Sequence, residues 1–218
     1  MHALIASQST PLAPSLFEIL ERGGFMMWPI AACSVIALTF AVERWVRLRP
    51  GALGRAKFAK RVVEAARSEG PAAALETCST QNNALARILG RGLEHAELGY
   101  LERDAILGDA AAHEAKRLGA NLRPLLIVWL IAPLLGLLGT VWGMIESFGA
   151  IADSGGIGKP ELLASGIYQA LTTTAAGLAV SIPAVVIYHL LRGRIEAFAR
   201  RVESSAADLQ AALESRRS

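Results

Sequence analysis

Three long uncharged stretches constrain what this chain can fold into. Residues 25–42 and 124–145 contain no charged side chain, and residues 162–191 contain only His189 as a group that ionises near neutral pH. An α-helix rises about 1.5 Å per residue, so roughly 20 apolar residues cross the ~30 Å hydrocarbon core of a bilayer. The sequence therefore predicts three transmembrane helices, placed at residues 23–43, 124–148 and 162–191.

Composition supports a membrane protein and argues against several other classes. The chain is 53% hydrophobic and 19% charged, with a mean hydropathy of +0.39, which is too apolar for an ordinary soluble domain. Its basic residues do not form an aromatic-interleaved face, so no nucleic-acid partner is expected. Cys33 and Cys78 have no metal-site spacing, and no catalytic constellation or phosphate loop is evident. We therefore expect no enzyme activity, metal or cofactor.

The distribution of Lys and Arg predicts the orientation. Fourteen of the 22 basic residues lie between positions 43 and 123, and six follow Leu191, so that 20 fall on one side of the predicted spans. Cytoplasmic segments carry the excess of positive charge in membrane proteins. The N-terminus is thus predicted to lie outside and the C-terminus in the cytoplasm.

The segments outside the three spans are predicted to form helices or short loops. Residues 1–22 lack the charged n-region of a cleaved signal peptide, so we expect them to be retained as a periplasmic segment with an amphipathic helix. Residues 44–123 predict two or three cytoplasmic helices, punctuated at Gly70–Pro71 and between Ser79 and Asn83. Residues 149–161 predict a periplasmic loop and residues 192–218 a cytoplasmic helix. The fold class is all-α.

Spans two and three each carry a stripe of small and hydroxylated residues at helical spacing. Such stripes let helix backbones approach closely. The members on span two are Ala132, Gly136, Gly139, Thr140, Gly143 and Ser147, and those on span three are Gly166, Ala170, Thr173 or Thr174, Gly177 and Ser181. Gly136, Gly139, Gly143 and Gly177 are the predicted packing residues, although three consecutive threonines, Thr172 to Thr174, also suit a polar pathway.

Other polar or helix-bending residues in the spans have simpler interpretations. Pro133 and Pro183 indicate either a static kink or a hinge. Glu146 and His189 lie near the ends of their spans, where water reaches, and are interpreted as interface residues.

Three strings carry a family resemblance. They are GGFMMWPI (23–30), APLLGLLGTVWGM (132–144) and GIYQALTTTAAGLAVSIPA (166–184). Together they resemble the ExbB, TolQ and MotA family of proton-driven motor subunits, and ExbB-like proteins in particular. The resemblance covers all three spans, their order, their orientation and the large cytoplasmic segment.

The resemblance implies a mechanism and partners. It implies a homo-oligomer, a pentamer in the family, around single-span helices of an ExbD-like or TolR-like partner, with a TonB-like protein receiving the force and lipids surrounding the assembly. Thr140 and Thr174 correspond to the pore-lining threonines of the family, and Thr173 and Gln169 are placed on the same ion pathway. Gln169 departs from the family pattern, because ExbB and TolQ carry a glutamate there and an amide cannot titrate.

Alternatives remain open at this level. A TolQ-like role in envelope maintenance differs from an ExbB-like role in outer-membrane uptake mainly by partner. Because Gln169 cannot titrate, a membrane scaffold that conducts no ions is another alternative. Hydroxyl and carbonyl oxygens can coordinate sodium, so coupling to sodium rather than protons is a further possibility.

Overall fold

A computed structural model describes residues 23–153 and 160–216, and within these ranges the structure is helical. The predicted amphipathic segment at 1–22 and positions 154–159 of the predicted periplasmic loop lie outside the described residues. Eight α-helices occur in the described ranges: α1 (Met27–Arg47), α2 (Pro50–Leu53), α3 (Ala56–Ser68), α4 (Pro71–Ser79), α5 (Ala84–Glu94), α6 (Tyr100–Gly119), α7 (Arg123–Asp153) and α8 (Pro160–Ser215).

Three helical stretches of the described chain are long and apolar enough to cross a membrane. They are Met27–Arg47, Tyr100–Asp153 and Leu163–Ser215, the second joining α6 to α7 through the short 3₁₀ turn Ala120–Leu122. For the described residues, this confirms the predicted all-α fold class with three helices that can span a membrane. Helix α8 alone has 56 residues, far more than the ~20 that a span requires, so much of it extends beyond the hydrocarbon core.

The described chain divides into two compact units. The first contains residues 23–36 together with Ile127–Pro183, and the second contains Ala37–Leu126 and the described residues from Ala184 onward. In the first unit, α7 and the N-terminal half of α8 run antiparallel, because Trp129 contacts Ser181 whereas Glu146 contacts Gln169. This helix pair holds the predicted site residues.

The second unit contains more helices between spans one and two than the two or three that the sequence predicts. The breaks at Gly70–Pro71 and between Ser79 and Asn83 are confirmed, and Asn83 caps α5 by accepting a hydrogen bond from the Ala86 backbone nitrogen at 2.8 Å. One of the breaks that the sequence did not predict follows Gly54, whose φ of +100° favours glycine. An added Cβ there would lie 2.6 Å from the Leu85 Cβ atom.

Buried apolar side chains from successive helices form the core of this second unit. Helix α3 packs on α4, α4 on α5 and α5 on α6. The side chains that are almost fully buried include Val62 of α3, Leu85, Ile88 and Leu89 of α5, and Phe198 and Leu209 of α8. Residues 44–123 and the last part of α8 thus both contribute buried apolar side chains to the second compact unit.

A bidentate ion pair joins α5 to α6 within the second unit. Arg87 donates from Nε to Glu114 Oε1 at 2.9 Å and from Nη2 to Oε2 at 3.0 Å. The hydrogen bonds from Arg87 lower the pKa of the Glu114 carboxyl, and they outweigh the opposite effect of burial. A carboxylate whose pKa falls on folding stabilises the folded state above its unfolded pKa, and that stabilisation is lost as the pH falls through its folded pKa.

Glu114→Gln should therefore destabilise the protein at pH 7 by about 1–2 kcal/mol, and less under acid conditions. Thermal unfolding of the detergent-solubilised protein, followed by circular dichroism at pH 7 and near pH 4, measures both effects. Glu94→Gln is the matched control, since Glu94 pairs with Arg91 on an exposed surface and such pairs contribute little. An unfolding difference between Glu114→Gln and the parent that stays constant across this pH range would contradict the assignment.

Candidate functional site: the α7–α8 helix pair

Glycines bring the backbones of α7 and α8 into contact. A Cβ added at Gly177 would lie 2.5 Å from the Ala132 carbonyl oxygen, and one added at Gly136 would lie 3.0 Å from Cα of Thr174. At Gly139 the added atom would meet the Thr173 side chain, and at Gly143 it would lie 3.2 Å from the Gly166 carbonyl oxygen. The four predicted packing glycines thus occupy positions where no larger side chain fits without movement.

Two of the consecutive threonines bond across this interface. Thr174 Oγ1 donates to the Gly136 carbonyl oxygen at 3.1 Å. Thr173 Oγ1 lies 2.8 Å from the Ala170 carbonyl oxygen and 3.4 Å from that of Gly136. Thr172 instead donates to Tyr168 of its own helix at 2.8 Å. Although the three residues are adjacent, only Thr173 and Thr174 join the helices through their hydroxyls.

The four residues predicted on the ion pathway differ in accessibility. Thr140, Gln169 and Thr174 are half-buried in the single chain, whereas Thr173 is 1% exposed. Thr140 Oγ1 donates to the Leu137 carbonyl oxygen of its own helix at 2.6 Å. Thr173 fills the interface, so an ion reaches its hydroxyl only if the helices separate. Thr140, Thr174 and Gln169 can meet water or a neighbouring chain without such a movement.

Pro133 explains a further hydrogen bond between the helices. Proline has no backbone N–H, so within α7 it leaves the carbonyl oxygen of Trp129, four residues earlier, without its helical donor. Ser181 Oγ of α8 donates to this oxygen at 2.7 Å. A polar group that would be costly to leave unpaired in lipid is therefore satisfied by the neighbouring helix.

A polar cluster lies at the end of the pair near the α7 C-terminus. Glu146 Oε1 accepts a hydrogen bond from Trp142 Nε1 at 2.7 Å, and its Oε2 lies 3.4 Å from Gln169 Nε2. Gly24, which precedes α1, lies directly against the Gln169 side chain. The sequence interpretation treated Glu146 as an isolated interface residue and missed this contact. Its spacing of three residues from Gly143 already placed it beside the small-residue stripe.

Comparisons with known proteins agree with the motifs. Residues 80–204 match the MotA/TolQ/ExbB proton channel family. The biopolymer transport protein exbB1 of Vibrio cholerae is 31% identical over 180 residues, covering 81% of this chain and 79% of that protein. The ExbB protein of Salmonella typhimurium is 38% identical over 122 residues, covering 56% of this chain and 46% of that protein.

A Tol-Pal system protein is also similar. TolQ of Pseudomonas aeruginosa is 38% identical over 106 residues, covering 48% of this chain and 45% of that protein. The family match covers more than half of the chain and includes α7 and most of α8, the helices that carry the glycines and hydroxyls described above. The chain therefore belongs to the MotA/TolQ/ExbB proton channel family, as a membrane subunit related to ExbB and TolQ.

Proposed function

We propose that this chain is an ExbB-like subunit of a motor in the bacterial inner membrane, driven by the proton-motive force. It conducts protons together with a single-span partner of the ExbD or TolR type and so energises a TonB-like protein for outer-membrane transport. The observation that carries the proposal is the Thr174 hydroxyl bonded to Gly136 on the glycine-lined face of α7. On this proposal the hydroxyl relays protons beside the helix junction, and the match to a proton channel family supports that role.

The surface of the helix pair supports assembly with other copies and with lipid. Helix α7 exposes large apolar side chains in the single chain, among them Leu134, Leu137, Val141, Ile145 and Phe148. These side chains require cover from lipid tails or from protein. We propose a homo-oligomer, a pentamer as the family resemblance implies, with its N-terminus in the periplasm and its C-terminus in the cytoplasm.

The energetics suit a conducting subunit rather than an enzyme. Moving one charge through 100 mV is worth about 2.3 kcal/mol, enough to bias a conformational step if protons cross in sequence. On this proposal the chain supplies a gated route for protons, and no bond of a substrate is made or broken.

Native mass spectrometry of the detergent-extracted complex tests the architecture. The chain is measured alone and co-expressed with the ExbD-like or TolR-like protein of the same genome. A defined oligomer that takes up the single-span partner supports the motor, whereas a monomer indifferent to the partner contradicts it. The identity of a force-receiving protein that co-purifies separates the ExbB-like role from the TolQ-like alternative.

Removing the Thr174 or Thr140 hydroxyl should reduce proton conduction. Valine matches threonine in shape but cannot relay a proton or order water, so Thr174→Val and Thr140→Val should each lower the flux by about tenfold or more. Flux is measured with a pH-sensitive dye inside liposomes that hold the complex under an imposed potential. A sodium gradient in place of the proton gradient tests the other ion.

Thr172→Val is the control, since Thr172 is not one of the two threonines that the family resemblance places along the pore, and its hydroxyl donates within its own helix. We expect its flux to equal that of the parent protein. Undiminished flux in both Thr174→Val and Thr140→Val would contradict the pathway. A parent complex that conducts neither ion would favour the non-conducting scaffold that Gln169 leaves open.

A further inference from the structure

The carboxylate of Glu146 is held between two helices by two donors. Trp142, one turn earlier on α7, donates its indole N–H to Oε1 at 2.7 Å, and Gln169 of α8 presents Nε2 to Oε2 at 3.4 Å. An indole nitrogen can only donate, and it therefore orients the carboxylate from one side. The side chain is exposed in the single chain.

Gln169 suits both protonation states of its neighbour. Its amide NH₂ donates to a Glu146 oxygen in the observed arrangement. Once Glu146 is protonated, its O–H needs an acceptor, and rotation of the same amide supplies the carbonyl oxygen. The Gln169 amide therefore offers the Glu146 carboxyl group a hydrogen-bond partner in either protonation state.

The pair lies closer than the threonines to one end of the α7–α8 helix pair. At about 1.5 Å per residue, Glu146 is roughly 35 Å along α7 from Arg123, and Gln169 is the same distance along α8 from Arg192. Both residues therefore lie near the periplasmic end of the proposed pathway, where a charge costs little. Thr140 is about 9 Å and Thr174 about 7.5 Å further in along their helices.

We propose that Glu146 is the proton-accepting carboxylate at the outer mouth of the pathway and that Gln169 is its positioning residue. This rests on the proposed proton-conducting function. A hydronium ion gives its proton to a Glu146 oxygen and leaves as water, and the new O–H bond then breaks as the proton passes inward through water beside Thr140. The titratable group that Gln169 lacks is thereby supplied by the adjacent helix.

Neutralising and relocating the carboxylate tests this assignment. Glu146→Gln keeps the side-chain shape and should lower the proton flux of the partner-bound complex in liposomes by about tenfold or more. Asp153→Asn, which neutralises a carboxylate at the end of the same helix, should leave flux unchanged. The exchange variant Glu146→Gln/Gln169→Glu should recover most of the flux, because it returns one carboxylate to the same pair.

The pH dependence of proton flux tests the role of Gln169. Gln169→Met removes the amide but not the carboxylate, so it should shift the pH at which flux is half-maximal while the complex keeps its mass by native mass spectrometry. A pH profile identical to that of the parent would overturn the positioning role.

The outcomes separate this assignment from the proposed function. If Glu146→Gln conducts like the parent while Thr174→Val does not, the Glu146 assignment is wrong and the motor stands. If the parent complex conducts no protons, both are overturned. A Glu146→Gln complex that loses both its flux and its native mass would show a structural role instead, and would overturn the assignment unless the exchange variant recovers flux.

Discussion

The variant Gly177→Ala is expected both to destabilise the protein and to lower the proton flux. The added methyl group would lie 2.5 Å from the backbone oxygen of Ala132 and 3.2 Å from Cα of Gly136. Both neighbours are backbone atoms, so no side-chain rotation relieves the clash and the helices must separate. Overpacking of this kind costs about 2 kcal/mol. The separation would also lengthen the bond from Thr174 to Gly136.

Thermal unfolding in detergent and proton flux in liposomes measure the two effects of Gly177→Ala. Gly193→Ala, on the same helix, is the control, because no atom lies within 4 Å of the added Cβ. It should be neutral or stabilise α8 by up to about 1 kcal/mol, through alanine's higher helix propensity. Equal stability of the two variants would show that the contact at Gly177 does not limit the approach of the helices.

The second large effect is expected at Arg103 in the second unit. This side chain is 0% exposed and donates from Nη1 to the backbone oxygens of Ala96 and Leu98 at 2.9 and 3.1 Å. Its Nε donates to Gln210 Oε1 of α8 at 3.0 Å. Arg103 therefore anchors both the turn before α6 and the end of α8.

Arg103→Met should lower the free energy of unfolding by about 3 kcal/mol or more, because it leaves several buried acceptors without a donor. Chemical unfolding followed by circular dichroism measures the loss, and hydrogen exchange should rise in residues 95–104 and 205–215. Arg91→Met is the control, since Arg91 forms an exposed ion pair with Glu94, and this change should alter stability by less than about 0.5 kcal/mol.

A double variant tests the cause of this loss. If unpaired acceptors dominate, Arg103→Met/Gln210→Leu should cost less than the sum of the two single changes, because one orphaned group has been removed. Strict additivity would mean that Arg103 and Gln210 act independently, contrary to the 3.0 Å contact between them.

Much of the fold follows from local patterns in the sequence. The uncharged runs, the Gly70–Pro71 break and the glycine stripe on α7 depend on residues close together in the chain. Helical periodicity and the cost of exposing polar groups to lipid are enough to interpret them. The sequence did not predict the helix boundary at Gly54. The φ angle of a single glycine depends on the helix that packs against it, and this cannot be derived from the sequence.

Only the tertiary structure shows which residues that are far apart in the sequence contact one another. The sequence determined that α7 and α8 are apolar helices with small, hydroxylated faces, and that Gln169 cannot titrate. It did not determine that Thr173 is buried while Thr174 bonds Gly136, or that Glu146 lies beside Gln169. Those facts depend on the rotation and register of one helix against the other, which are set by backbone contacts such as that of Gly177 with Ala132.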